Sequence, residues 1–152
     1  RILNETMSPV CSPDYRERMG GLADPAGLLR CTLLNESRVL HDDSALPNWE
    51  RWFAAAGVTF ARPRGPTLSH GSLTIEAALR GEGVALGRSV LVAEDIAAGR
   101  LVEPFPQIRL PAGRGYDLVH RPGEEADPRI AALRDWLQEE VAAFHDATGS
   151  CG

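Results

Sequence analysis

The residues best placed to do chemistry lie in the run from Ser69 to Gly87, SHGSLTIEAALRGEGVALG. It reads as an abrupt helix start, one amphipathic helix, a glycine stop and a short buried strand. A helix that opens in the turn Ser69-His70-Gly71-Ser72 presents backbone N–H groups with no partner inside the helix, and these favour an anion such as a carboxylate. The chemistry on offer is binding rather than bond-making. His70-Gly71-Ser72 lacks the Gly-x-Ser-x-Gly frame of a nucleophile elbow, and no spacing joins it to a base and an orienting acid. His41, His70, His120 and His145 are dispersed without paired metal-ligand spacing. Gly81-x-Gly83 follows a helix and precedes a strand, the reverse of the order that sets a pyrophosphate on a helix N-terminus. Glu124-Glu125 and Glu139-Glu140 read as solvated faces. The expectation is a protein that is not an enzyme and holds neither metal nor cofactor.

Composition sets the outer limits. The 152 residues suffice for one ordinary domain, or one domain and a fragment of a second, with a real core. There are 21 acidic residues against 16 basic ones, the latter all arginine and scattered. Phosphate recognition needs a clustered positive surface, so direct nucleic-acid binding is not expected. Cys11, Cys31 and Cys151 are odd in number and form no CxxC pair, which fits structural thiols in a reduced compartment. No apolar run approaches the roughly 20 residues needed to cross a bilayer. The N-terminus lacks a signal-peptide layout, so a cytoplasmic location is expected. Beginning at Arg1, the chain reads as a fragment.

Several elements must hold the Ser69 turn in place. Met7 to Cys11 reads as a strand, Ser12-Pro13 as the start of a helix, and Gly20-Gly21 as its stop. Asp24-Pro25 opens a short capped helical turn carrying Leu28 and Leu29. Cys31 to Leu34 reads as a brief buried strand and His41 to Asn48 as a polar loop. Asn48 is the expected cap of a helix stopped by Gly57, with Trp49, Trp52 and Phe53 on one apolar face as core anchors. Gly65 to Leu68 is extended. After the helix through Leu73, Ile75 and Leu79 come a strand at Val84 to Leu86 and a helix from Ser89 to Gly99. Pro111 to Gly115 reads as a loop, Gly115 to His120 as a strand, and Asp127-Pro128 as the cap of a long helix with Ile130, Leu133, Leu137, Val141 and Phe144 in one stripe. Strands alternating with helices predict an α/β fold on a largely parallel sheet.

Five segments in this order carry a resemblance. They are Pro9 to Pro13, Trp49 to Gly57, Glu76 to Gly87 (EAALRGEGVALG), Ala97 to Phe105 (AAGRLVEPF) and Trp136 to Glu140 (WLQEE). Together they resemble the effector-binding domain of LysR-type transcriptional regulators, in the subgroup of the glycine-cleavage activator and the β-lactamase regulator. The resemblance implies a fold of the periplasmic-binding-protein-like type 2, with one complete subdomain and part of a second. Residues 1–6 would be the end of subdomain I and the first crossover, 7–114 subdomain II, and 115–152 the return crossover and C-terminal helix of subdomain I. The winged helix-turn-helix and the front of subdomain I would be absent.

In that family a small effector sits in the cleft between subdomains, and DNA is contacted only through the N-terminal domain. The resemblance implies an effector site at Ser69, His70, Gly71 and Ser72, where a carboxylate meets small hydroxyl residues and helix N–H groups. His70 and Gly71 depart from the paired-hydroxyl version; a protonated His70 would strengthen anion binding, and the alternative for it is a solvent-exposed capping role. Tyr116 on the returning crossover matches a family position that reaches the effector. Cys11, Ser12 and Thr32 are the remaining candidates. The implied partners are a small, anionic metabolite and further copies of the chain, as a dimer or tetramer. The alternative is a stand-alone small-molecule binding protein of the same fold.

Overall fold

The computed structural model describes residues 1–37, 48–60, 64–124 and 127–148. The chain divides into two compact units, Thr6–Gly113 and the combination of Arg1–Glu5 with Arg114–Gly152. Strand β1 (Leu3–Val10) and the helix α1 (Pro13–Arg18) come first. A 3-10 helix follows at Pro25–Arg30, then β2 (Asn35–Glu36), α2 (Trp49–Ala55), β3 (Thr67–Leu68) and α3 (Gly71–Leu79). The chain continues through β4 (Ala85–Arg88), α4 (Ser89–Ala97), β5 (Leu110–Tyr116) and α5 (Pro128–Thr148).

The starts of these helices follow from their caps. Ser12 accepts from the backbone N–H of Tyr15, Asp24 from that of Gly27, and Asn48 from that of Arg51. Each satisfies one of the orphan donors of a first turn. The polar loop read at His41 to Asn48 lies outside the described residues except for Asn48 itself.

The larger unit holds two cores, and strand alternation explains why. Successive residues of an extended chain point to opposite faces. Cys11, Leu33 and Val84 enter one core with Trp52, Phe53 and Phe105, while their neighbours Val10, Leu34 and Ala85 enter the other with Ala78 and Val92. Both faces of this layer are therefore covered by helices. Gly87 belongs to the second core, where a Cβ would stand 2.8 Å from one methyl of Val10 and 3.0 Å from a methyl of Val92. No side chain larger than hydrogen fits there without moving Val10.

Four expectations need correction. The Cys31 to Leu34 segment is not a continuous strand: Leu33 makes a single parallel bridge to Val84, and the strand proper is β2. Pro111 to Gly115, read as a loop, is part of β5, which is an edge strand in the order β4-β1-β5. An edge tolerates a proline that cannot donate a ladder hydrogen bond. Strand β5 ends at Tyr116, so the alternation through His120 is not paired. In place of one largely parallel sheet there are two: in β4-β1-β5, β1 pairs antiparallel with β4, in register Met7 with Arg88 to Val10 with Ala85, and β2 pairs parallel with β3 in the other.

Candidate functional site

The turn before α3 is built by β2 and β3. Asn35 is buried, and its amide nitrogen donates to the carbonyls of Leu33 at 2.9 Å and Pro66 at 3.3 Å. Its backbone N–H donates to Pro66 as well, at 3.0 Å. One asparagine thereby ties the segment before β3 to the end of Leu33–Asn35. Trp49 anchors the same strand from α2, its indole N–H donating to the Leu34 carbonyl at 3.1 Å. With this register fixed, Glu36 lies beside Leu68 and the chain turns at Ser69 into α3.

His70 occupies the cap position of α3 with extended backbone, and its side chain makes no capping hydrogen bond. Its Nδ1 is instead 2.9 Å from the Ser69 hydroxyl. Ser69, His70 and Ser72 are exposed, and Thr74, buried behind them, donates to the Gly71 carbonyl at 2.7 Å. The first turn of the helix contains no acidic residue of its own. A carboxylate arrives from elsewhere: Glu36 Oε2 lies 3.0 Å from the point where a Cβ on Gly71 would be. Ser37 adds a hydroxyl that donates to the Ser69 carbonyl at 3.5 Å, a long and weak contact. The site therefore combines the positive end of a helix, an exposed imidazole, two exposed hydroxyls and one carboxylate.

The larger unit brings together Ser69, His70, Gly71 and Ser72, but not the other candidates it contains. A Cβ on Gly81, just past the C-terminal end of α3, would lie 3.2 Å from the Ser12 hydroxyl. One on Gly83 would lie 2.5 Å from the Thr32 carbonyl. Ser12, the neighbouring Cys11 and Thr32 thus stand at the opposite end of α3 from the Ser69 turn, about 13 Å away along a nine-residue helix. Each is engaged there. Ser12 caps α1, and the Thr32 backbone N–H donates to the Tyr15 hydroxyl at 2.9 Å. Cys11 is fully buried in the first core. Burial raises its thiol pKa to about 12, with the nearby Cys31 thiol adding to the shift.

Tyr116 belongs to the smaller unit, where it is 39% exposed and its hydroxyl lies 3.4 Å from Glu5 Oε1. In the same unit Arg1 pairs with Asp117 at 2.8 Å. Sequence reasoning missed Glu36 and Asn35. The signal available was only an Asn-Glu pair after an apolar run; what gives those two residues meaning is the pairing of β2 with β3.

Among the described residues no group of three His, Cys, Asp or Glu side chains is placed to hold a metal ion. No helix among them is long and apolar enough to cross a membrane.

Comparison with known proteins sets this geometry in context. Residues 1–142 match the family model described as the LysR substrate binding domain. The HTH-type transcriptional regulator DsdC of Escherichia coli (strain K12) is 32% identical over 140 residues, which are 92% of this chain and 45% of DsdC. The glycine cleavage system transcriptional activator of the same organism is 31% identical over 144 residues, 94% of this chain and 45% of its own length. The effector domain of the transcriptional regulator AmpR of Pseudomonas aeruginosa superposes with a TM-score of 0.67 at 30% identity, covering 97% of this chain and 66% of that domain. The chain spans just under half the length of these curated relatives.

Proposed function

This chain belongs to the LysR substrate-binding domain family, and from that premise we propose that it is the effector-sensing part of a DNA-binding transcriptional regulator. The fold is the periplasmic-binding-protein-like type 2 of that family, in part. The reported relatives are transcriptional regulators, and the chain's own acidic, arginine-scattered surface leaves DNA contact to another domain. In this reading the ligand changes the relative stability of two conformations by binding one of them more tightly. Self-association into a dimer would carry that difference to paired DNA-binding domains, and the cytoplasm is where such a protein acts.

The effector we propose is a small metabolite bearing a carboxylate, received at the uncapped start of α3. The observation that carries this is the His70 cap position, where the His70 side chain makes no capping hydrogen bond and Ser69, His70 and Ser72 stand exposed around it. Ser69, Gly71 and Ser72 would supply hydroxyl and backbone donors, and His70 an exposed imidazole beside them. Glu36 favours a more specific version. A carboxylate this close to Gly71 repels a simple anion, but attracts a ligand that also carries an ammonium group. The geometry thus supports an amino-acid-like zwitterion over a bare carboxylic acid.

Thermal unfolding against a panel of amino acids and of their deaminated carboxylate analogues tests both statements. A ligand at a hundred times its Kd adds about 2.7 kcal/mol to stability, which raises the midpoint by several degrees. Glu36→Gln should weaken the amino acid and strengthen the matching carboxylate. If no member of either series moves the midpoint at millimolar concentration, the effector reading is wrong. If Glu36→Gln strengthens both, the ligand is a simple anion.

A further inference from the structure

The chain passes from one compact unit to the other twice, between Glu5 and Thr6 within β1 and between Gly113 and Arg114 within β5. On the larger unit's side of both passages, one carboxylate ties the two strands together. Ser8 of β1 is buried and its hydroxyl donates to Glu103 Oε1. Arg109, the residue before β5, donates from Nη2 to Glu103 Oε2 at 2.7 Å. All three residues belong to the larger unit. Both carboxylate oxygens are engaged, and the Glu103 and Arg109 side chains are only 13% and 29% exposed, so this charge-assisted pair is largely shielded from salt. The supports of the tie are themselves anchored. Val102, next to Glu103, exchanges two backbone hydrogen bonds with Cys11, at 2.8 and 3.1 Å, and the Ile108 carbonyl before Arg109 accepts from the Trp52 indole at 3.0 Å. The backbone ladder has fewer donors here, because Pro9 in β1 and Pro111 in β5 carry no N–H. The side-chain tie stands where each strand lacks one.

We infer that Glu103 is a positioning residue, a clasp that makes β1 and β5 leave the larger unit as one joined pair. Its use in signalling rests on the effector-sensing reading: β1 and β5 are the two covalent routes by which a change at the Ser69 turn leaves the larger unit along the chain. The competing role is simple loop closure, since Glu103 and Arg109 pair across the turn between them. Ser8 argues against it, because the second oxygen goes to β1 and adds nothing to that turn. A clasp needs reach and two acceptor positions more than it needs charge. Glutamine retains the reach: its oxygen accepts from Arg109 while its amide nitrogen donates to the Ser8 hydroxyl, which both donates and accepts. Aspartate retains the charge but is one methylene shorter and cannot hold both partners.

Hydrogen exchange resolved by mass spectrometry on residues 1–152 tests the clasp with no ligand present, so failure of the effector reading leaves the result readable. Ser8→Ala should speed exchange in both β1 and β5 by about tenfold, the size of one hydrogen bond to a charged group, while α2 and α3 stay as protected as before. Glu103→Asp should have the same effect, and Glu103→Gln a clearly smaller one. In a Glu103→Ala background, Ser8→Ala should add nothing, because the contact it removes is already gone. If Glu103→Ala does not fold, the Ser8→Ala pattern and the order of Gln and Asp decide. Faster exchange confined to β1 would overturn the clasp, as would additive effects of the two alanine substitutions. Equal loss of protection in α2 and α3 would show a merely structural contribution and overturn it too. So would a milder effect of Asp than of Gln, which would reduce Glu103 to its charge.

Discussion

The Glu36 carboxylate lies 3.0 Å from the place where a side chain on residue 71 would begin, although α2 and β3 separate the two residues in the chain. A carboxylate facing the uncapped end of a helix is favourable in itself. It also sets what else can share that end.

Gly71→Ala tests the space between them. The new methyl displaces the end of a flexible glutamate rather than backbone, and alanine is a good helix former. Stability should change by no more than about 0.5 kcal/mol, in the range of ordinary surface substitutions. Ligand affinity should fall at least tenfold, because the methyl and the shifted Glu36 occupy the approach to the helix end. Paired thermal unfolding and calorimetric titration would show the split; equal losses in both would mean that residue 71 serves only the fold.

His70→Ala tests the imidazole at the helix start. His70 is exposed beside the Ser69 hydroxyl. The substitution should weaken a carboxylate ligand roughly two- to fivefold, the size of a single favourable interaction at a helix end, with the unfolding midpoint of the free protein unchanged. Unchanged affinity in calorimetric titration would assign His70 no part in binding.

Trp52→Ala tests the first core, which supports the β2 segment. Trp52 is fully buried, its ring centroid 5.4 Å from that of Phe53 and 5.8 Å from that of Phe105. Its indole N–H donates to the Ile108 carbonyl at 3.0 Å. Truncation should cost about 3–5 kcal/mol, a large part of the 5–15 kcal/mol that holds a typical domain together. Trp52→Phe keeps most of the ring but leaves that carbonyl unpaired, costing about 1–3 kcal/mol. Urea unfolding followed by circular dichroism would rank the two.

Cys11 and Cys31 set a limit on alkaline stability. Burial raises both thiols, Cys11 to about 12 from an ordinary value of 9.0. Above about pH 9 the unfolded chain releases the Cys11 proton while the folded chain retains it, so the unfolded state binds fewer protons and stability declines as pH rises toward 12. In a Cys151→Ser background, a thiol reagent at pH 8 should label the native protein no faster than it opens, and Cys11→Ala should flatten the loss of stability above pH 9. Rapid labelling of the folded protein would show that these thiols are reachable as thiolates.

Much of this organisation was legible because it is local. A cap, its helix and its glycine stop lie within a dozen residues, so Asn48 and Gly57 bracket α2 in the sequence as they do in the structure. The Trp49, Trp52 and Phe53 face followed from helical periodicity alone, and all three rings are buried. The resemblance to the LysR family was legible for a similar reason, since its motifs are short segments in a fixed order.

Strand identity was less so. Two-residue strands such as β2 and β3 carry too few alternations to show a period, and β5 hides behind a proline and two glycines that only its edge position excuses.

By itself the sequence determined the helices, the apolar faces and the helix start at Ser69, because each is written in neighbouring residues. The tertiary structure alone decided which distant residues share that turn. It brought Glu36 to Gly71 and held Ser12 and Thr32 at the other end of α3, since strand register is set by pairing across the chain and not along it.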